Sequence, residues 1–126
     1  MLGREADRRL WPLADNIIGW TLRHIATVTR EHDATPVFVA LNNVSDPYGN
    51  DIPALKDAKP AGFVVFNLLD IWRNRDQSAL RIADWDEHPN AAGNRLIADR
   101  LFQLMNEHRS ELHLGMYSRE VSLSIR

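Results

Sequence analysis

The chain has 126 residues, 44% hydrophobic and 25% charged, with glycine and proline at ordinary levels, which fits one soluble globular domain at most. A formal charge of −2 argues against nucleic acid or an anionic membrane as the main partner, and the absence of cysteine excludes disulfides, thiol nucleophiles and thiolate metal sites. No run approaches the ~20 apolar residues that span a bilayer, and Met1–Leu10 lacks the apolar core of a signal peptide.

Near the start, Arg4, Arg8 and Arg9 form a small basic cluster, read as a solvated face. From Pro12 to about Arg30, Leu13, Ile17, Trp20 or Thr21, Ile25 and Val28 recur at three- and four-residue spacing, predicting a helix with this stripe towards the core. Thr35–Leu41 is a continuous apolar run with β-branched and aromatic residues, as in a strand covered on both faces. Asn42–Asp51 is rich in turn formers and predicts a loop. Ile52 to about Lys59 predicts a short helix ended by Pro60-Ala61-Gly62, and Phe63–Leu69 predicts a second buried strand with Asp70 just beyond its carboxyl end.

The stretch Asp84–Asn94 is polar and ionisable and runs into an amphipathic helix expected from Pro89 to about Glu107. Pro89 suits a first helical position, which would put His88 at the helix mouth. Gly93 lies on the apolar stripe of this helix, where it would permit close approach to the sheet. The tail Ser118–Arg126 alternates Val121, Leu123 and Ile125 with Ser122 and Ser124, as an edge strand or an unpaired terminus. The alternation of helix and strand is that of an α/β fold. Two parallel strands are nevertheless too few to cover three amphipathic helices, so the chain reads as part of a larger sheet.

The chemistry concentrates at Asp86 and His88. A carboxylate two residues before a histidine can fix the imidazole's tautomer and direction while the other ring nitrogen takes a proton from a nucleophile. The same residues also fit a helix-capping histidine with solvated neighbours, and Asp84, Asp86, Glu87 and His88 together fit an oxygen-and-nitrogen metal site. His24, His32, His108 and His113 have no neighbours that suggest a site. Trp11, Trp20, Trp72 and Trp85 read as packing, and Gly49-Asn50-Asp51 as a turn. No Gly-rich phosphate loop, G-x-S-x-G elbow or histidine pair at metal spacing is present, and no serine has a nucleophile's context.

The block Asp86-x-His88-Pro89-Asn90-x-x-Gly93, followed by Arg95–Leu101, resembles the last conserved block of SGNH hydrolases, the GDSL esterase/lipase family. The resemblance spans roughly Leu13 to Asn106, and its specific part is Asp86–Leu101. It implies a three-layer α/β/α fold with a flavodoxin-like parallel sheet, of which residues 1–126 would be an incomplete C-terminal half, with 12–107 best supported and 108–126 a tail. It implies His88 as general base and Asp86 as its orienter, with Asp84 a less favoured substitute. It further implies an ester substrate, often an acetylated carbohydrate, and no metal or organic cofactor. The family's Gly-Asp-Ser, glycine and Gly-x-Asn-Asp blocks are absent, and Asn94 stands where many relatives carry histidine. The serine and oxyanion donors are therefore expected upstream or in a partner chain. The other expectation is a non-catalytic binding or assembly module derived from this fold, with self-association through an exposed sheet edge.

Overall fold

The computed structural model describes residues 2–46 and 52–115, and the side chains of 2–4, 6–8 and 11 are not considered. Gly49-Asn50-Asp51 and the tail Ser118–Arg126 thus lie outside the described residues, as do the side chains of Arg4, Arg8 and Trp11. The chain runs α1 (Leu2–Glu31), β1 (Val37–Ala40), α2 (Pro53–Ala61), β2 (Val64–Asn67), β3 (Arg81–Ala83), β4 (Asp86–Pro89) and α3 (Ala91–Glu107).

The helix α1 begins well before the expected start, carrying Pro12 in its interior rather than at its first turn. An interior proline lacks the N–H that would bond back one turn and costs about 3 kcal/mol. An Arg9–Glu5 pair at 2.8 Å bridges one turn of this added segment, and Glu5 and Arg30 complement the helix dipole at its two ends.

The buried face of α1 also differs from the expected one. Ile18, Leu22 and Ala26 pack against Ala54, Ala58 and Phe63, whereas Leu13, Ile17, Trp20, Ile25 and Val28 are exposed. The helix has adjoining apolar arcs, and α2, nine residues long and lined with alanine at the contact, seats only one of them. Lys56 on α2 reaches Asp15 on α1 at 2.7 Å, fixing that side inward.

The short helix α2 has Pro53 at its start and Gly62 in the left-handed region at its end, φ 98°, with the Gly62 N–H returning to Ala58 and Lys59 carbonyls. Glycine adopts this conformation without a Cβ penalty, so the helix stops here. The Arg30 guanidinium donates to the Gly62 carbonyl at 2.5 Å, tying the end of α1 to this turn.

The strands β1 and β2 pair in parallel, Val37 opposite Val64 through Ala40 opposite Asn67. Alternation along the strands sends Phe38 and Val65 to the cluster formed with α1 and α2, and Val64 and Phe66 to a second cluster with Leu101 and Leu104 of α3. Of the two continuous apolar runs β2 is covered on both faces, whereas β1 is covered on one only, Val37 and Val39 on its other face being exposed, and Asp70 follows β2 at its carboxyl end. The sheet has two strands among the described residues. Beside β1, Val37, Val39, Met105 and Leu114 line an open apolar groove of about 800 Å³.

A third cluster holds the connection from β2 to α3. Trp72 is fully buried with Val44 and Leu80, and its indole N–H donates to the Asn42 carbonyl at 2.9 Å. The fold is thus mixed α/β, a small parallel pair plus a separate antiparallel pair.

Candidate functional site

The Asp84–Asn90 stretch is not a plain loop. β3 and β4 form an antiparallel hairpin, Arg81 opposite Pro89 and Ala83 opposite Asp86, with an irregularity between. Its seven strand residues are mostly polar and its strands three and four residues long, so no apolar alternation marked it in the sequence. Pro89 is therefore the last residue of β4 and not the first of α3, and His88 lies on a strand and not at the helix mouth.

Asn90 is what starts the helix. Its side-chain oxygen accepts from the N–H groups of Ala92 at 2.9 Å and Gly93 at 3.1 Å, the pattern of an N-cap. Its amide nitrogen donates to the carbonyls of Ala79 at 2.9 Å and Arg81 at 3.0 Å. One side chain thus joins the hairpin to α3. Asn94 adds a bond from its amide to the Pro89 carbonyl at 3.1 Å. Gly93 permits a close approach, as expected, but to the hairpin and not to the sheet: a Cβ there would stand 2.7 Å from the Leu80 carbonyl oxygen and 2.8 Å from Pro89 Cβ.

On this support the strand presents Asp86 and His88 on one face, because residues two apart in an extended strand point the same way. Asp86 Oδ1 lies 2.6 Å from His88 Nδ1 and also accepts the His88 backbone N–H at 3.1 Å. The backbone bond first, and then the bond to the imidazole, hold the Asp86 carboxyl below its ordinary value. An ionised Asp86 can only accept, so the geometry selects the neutral imidazole tautomer with its proton on Nδ1. His88 is 83% exposed at its side chain, and Nε2 has no hydrogen-bond partner among the described residues.

Asp84, the other carboxylate considered, is turned away. It takes the Arg81 guanidinium at 2.6 Å. Arg81 also approaches Ser45 Oγ at 3.5 Å, so this cation braces the hairpin against the loop after β1. Among the described residues no three histidine or acidic side chains group in a way that could hold a metal ion, which leaves the Asp84, Asp86, Glu87 and His88 metal set without its geometry. The groove beside β1 is lined by neither Asp86 nor His88.

Two of the four remaining histidines are occupied otherwise. His24 stacks on Trp20 with ring centroids 5.2 Å apart, and His108 meets Glu111 at 2.9 Å and the Phe66 ring at 5.5 Å. Asn90, Asn94 and Arg81 are the positioning residues that pattern reading passed over. Asn90 carried a usable signal, an N-cap residue directly before a periodic apolar stretch.

Comparison with protein-family models, with curated proteins and with solved structures finds no match to this chain. No helix among the described residues is long and apolar enough to cross a membrane.

Proposed function

We propose that this chain is the C-terminal part of a serine ester hydrolase or O-acyltransferase of the SGNH type, contributing the base and its orienter but not the nucleophile. In this proposal the parallel pair is one end of a larger, flavodoxin-like sheet between two helical layers. The observation that carries it is the 2.6 Å contact between Asp86 Oδ1 and His88 Nδ1, which leaves Nε2 without a hydrogen-bond partner among the described residues.

In such an enzyme a serine hydroxyl supplied upstream attacks the ester carbonyl while Nε2 takes its proton. Asp86 stabilises the imidazolium that forms, and the imidazolium then returns the proton to the departing alkoxide. Water, or an acceptor hydroxyl in a transferase, repeats the sequence on the acyl-serine. Donors for the oxyanion come, like the serine, from outside this chain. The substrate class is an acyl ester, with acetylated carbohydrate the favoured example.

The test is to read the coding sequence upstream of Met1, express the extended protein and assay an activated ester. A Gly-Asp-Ser strand-turn followed by Gly-x-Asn-Asp, with turnover lost in His88→Ala, supports the proposal. The 126-residue chain alone should not turn over p-nitrophenyl acetate; turnover that His88→Ala abolishes would mean a nucleophile within this chain. A stop codon directly upstream favours the second reading, an assembly module, which draws on the exposed Val37 and Val39 at the edge of β1.

A further inference from the structure

We propose that the polar cleft beyond the carboxyl end of β2, walled by the connection that follows it and by α3, binds the phosphate or carboxylate group of a hydroxyl-bearing small molecule. This is independent of the hydrolase proposal, since neither Asp86 nor His88 lines the cleft. The cleft has a volume of about 350 Å³, and Arg73, Arg75 and Arg100 share it with Asp70, Asp99 and Gln103. A second recess of about 340 Å³ also takes in Asp70, Arg73 and Arg100. Ligand pockets start at about 300 Å³, and open α/β sheets take their ligands beyond the carboxyl ends of the strands.

The cations of the cleft keep donors to spare. The Arg73 side chain has no hydrogen-bond or ion-pair partner among the described residues. Arg75 gives its Nε–H to the Ile71 carbonyl at 3.0 Å, which holds the guanidinium and leaves its terminal nitrogens without a partner among the described residues. Arg100 meets Gln103 at 3.4 Å and Glu107 at 3.6 Å through one terminal nitrogen. Neither Asp70 nor Asp99 forms an ion pair with these arginines among the described residues. Guanidinium donors match the oxygens of phosphate and carboxylate in pairs. The two carboxylates repel a bare anion but accept from hydroxyl groups, so the chemistry favours an anion carried on a hydroxylated body. The arginines also stand on firm support. Arg73 and Arg75 flank Asn74, which is in the left-handed region at φ 59°, and Trp72 beside them is fully buried. All of the lining comes from residues 67–103. On α3, Leu96, Arg100 and Gln103 lie on the opposite flank of the buried stripe from Leu101 and Met105, which border the groove beside β1. A sheet continued past β1 therefore grows away from the cleft and does not fill it.

NMR titration of the 126-residue chain at low ionic strength tests this, with glycerophosphate and glucuronate as probes and glycerol and glucose as their neutral counterparts. The backbone amide signals of 70–75 and 96–103 should move with the two acids, with dissociation constants in the millimolar range, and stay in place with the neutral pair. Whichever acid binds more tightly identifies the anion as phosphate or carboxylate, and either supports the cleft. Arg73→Gln should weaken the tighter acid about threefold to fivefold, and Arg100→Gln added to it should abolish detectable binding with an unchanged circular dichroism spectrum. Asp70→Asn should tighten inorganic phosphate by removing a like charge, and should narrow the preference for glycerophosphate over it. The absence of shifts at about 50 mM of either acid overturns the proposal. So do shifts that sodium chloride reproduces at equal ionic strength, or binding that both arginine substitutions leave unchanged.

Discussion

Asp86 depends on His88 as much as His88 depends on Asp86. Two hydrogen bonds from the same residue lower the carboxyl, so the charged form persists below its ordinary value of 3.8. A depressed folded-state carboxylate contributes its stabilisation above the unfolded value and loses it as pH falls through the folded value. The Asp86 carboxyl should therefore titrate below 3.8 in a carbon NMR titration, and the neutral His88 ring should carry its proton on Nδ1 by nitrogen NMR. In Asp86→Ala the neutral ring should lose its Nδ1–H preference. A ring already protonated on Nε2 in the parent chain would contradict the contact at 2.6 Å.

Asn90 offers a second measurement on single side chains. Asn90→Ala removes a cap and two bonds to hairpin carbonyls and should cost about 1–3 kcal/mol in urea unfolding. Asn90→Asp should recover only part of this, because a carboxylate keeps the cap but cannot donate to Ala79 and Arg81. Full recovery would mean that the hairpin bonds contribute nothing.

Among the elements, α3 and the hairpin meet at Gly93, where two opposed effects can be compared. Alanine in a helix interior is favoured over glycine by about 1 kcal/mol. The added Cβ would sit 2.7 Å from a backbone oxygen, which cannot swing away as a flexible side chain can, and overpacking of this kind costs about 1–3 kcal/mol. Gly93→Ala should therefore be net destabilising by urea titration despite the propensity gain. A neutral or stabilising result would mean that the hairpin yields to the added methyl group at no cost.

The elements also differ in how far the sequence specified them. β1 and β2 were legible as continuous apolar runs, although among the described residues only β2 is covered on both faces, and Gly62 was legible as a stop because only a left-handed residue closes α2 there. The hairpin was not legible, since polar side chains and backbone bonds hold it. For α1 the spacing revealed an apolar face but not which of two arcs finds a neighbour; that depends on the short α2. Asp86 and His88 could be paired from their i, i+2 spacing, while choosing between Asp86 and Asp84 required knowing that Arg81 lies beside Asp84.

For the whole molecule the open sheet sets the sharpest expectation. Val39 and Phe66 are opposite one another in the parallel ladder, yet Val39 is 43% exposed and Phe66 only 2%. Phe66→Ala empties a packed site against Leu104 and should cost about 3–5 kcal/mol. Val39→Lys should change stability by no more than about 0.5 kcal/mol in this chain, because its side chain reaches into the open groove and lysine is a residue that free strand edges tolerate. The same substitution in an upstream-extended protein is expected to behave differently if further strands continue the sheet past β1, since a buried lysine would then lack a partner. Denaturation of Val39→Lys in both forms checks this. A marked loss of stability confined to the extended protein supports the larger sheet, whereas equal tolerance in both forms leaves β1 as a true edge and favours the assembly module.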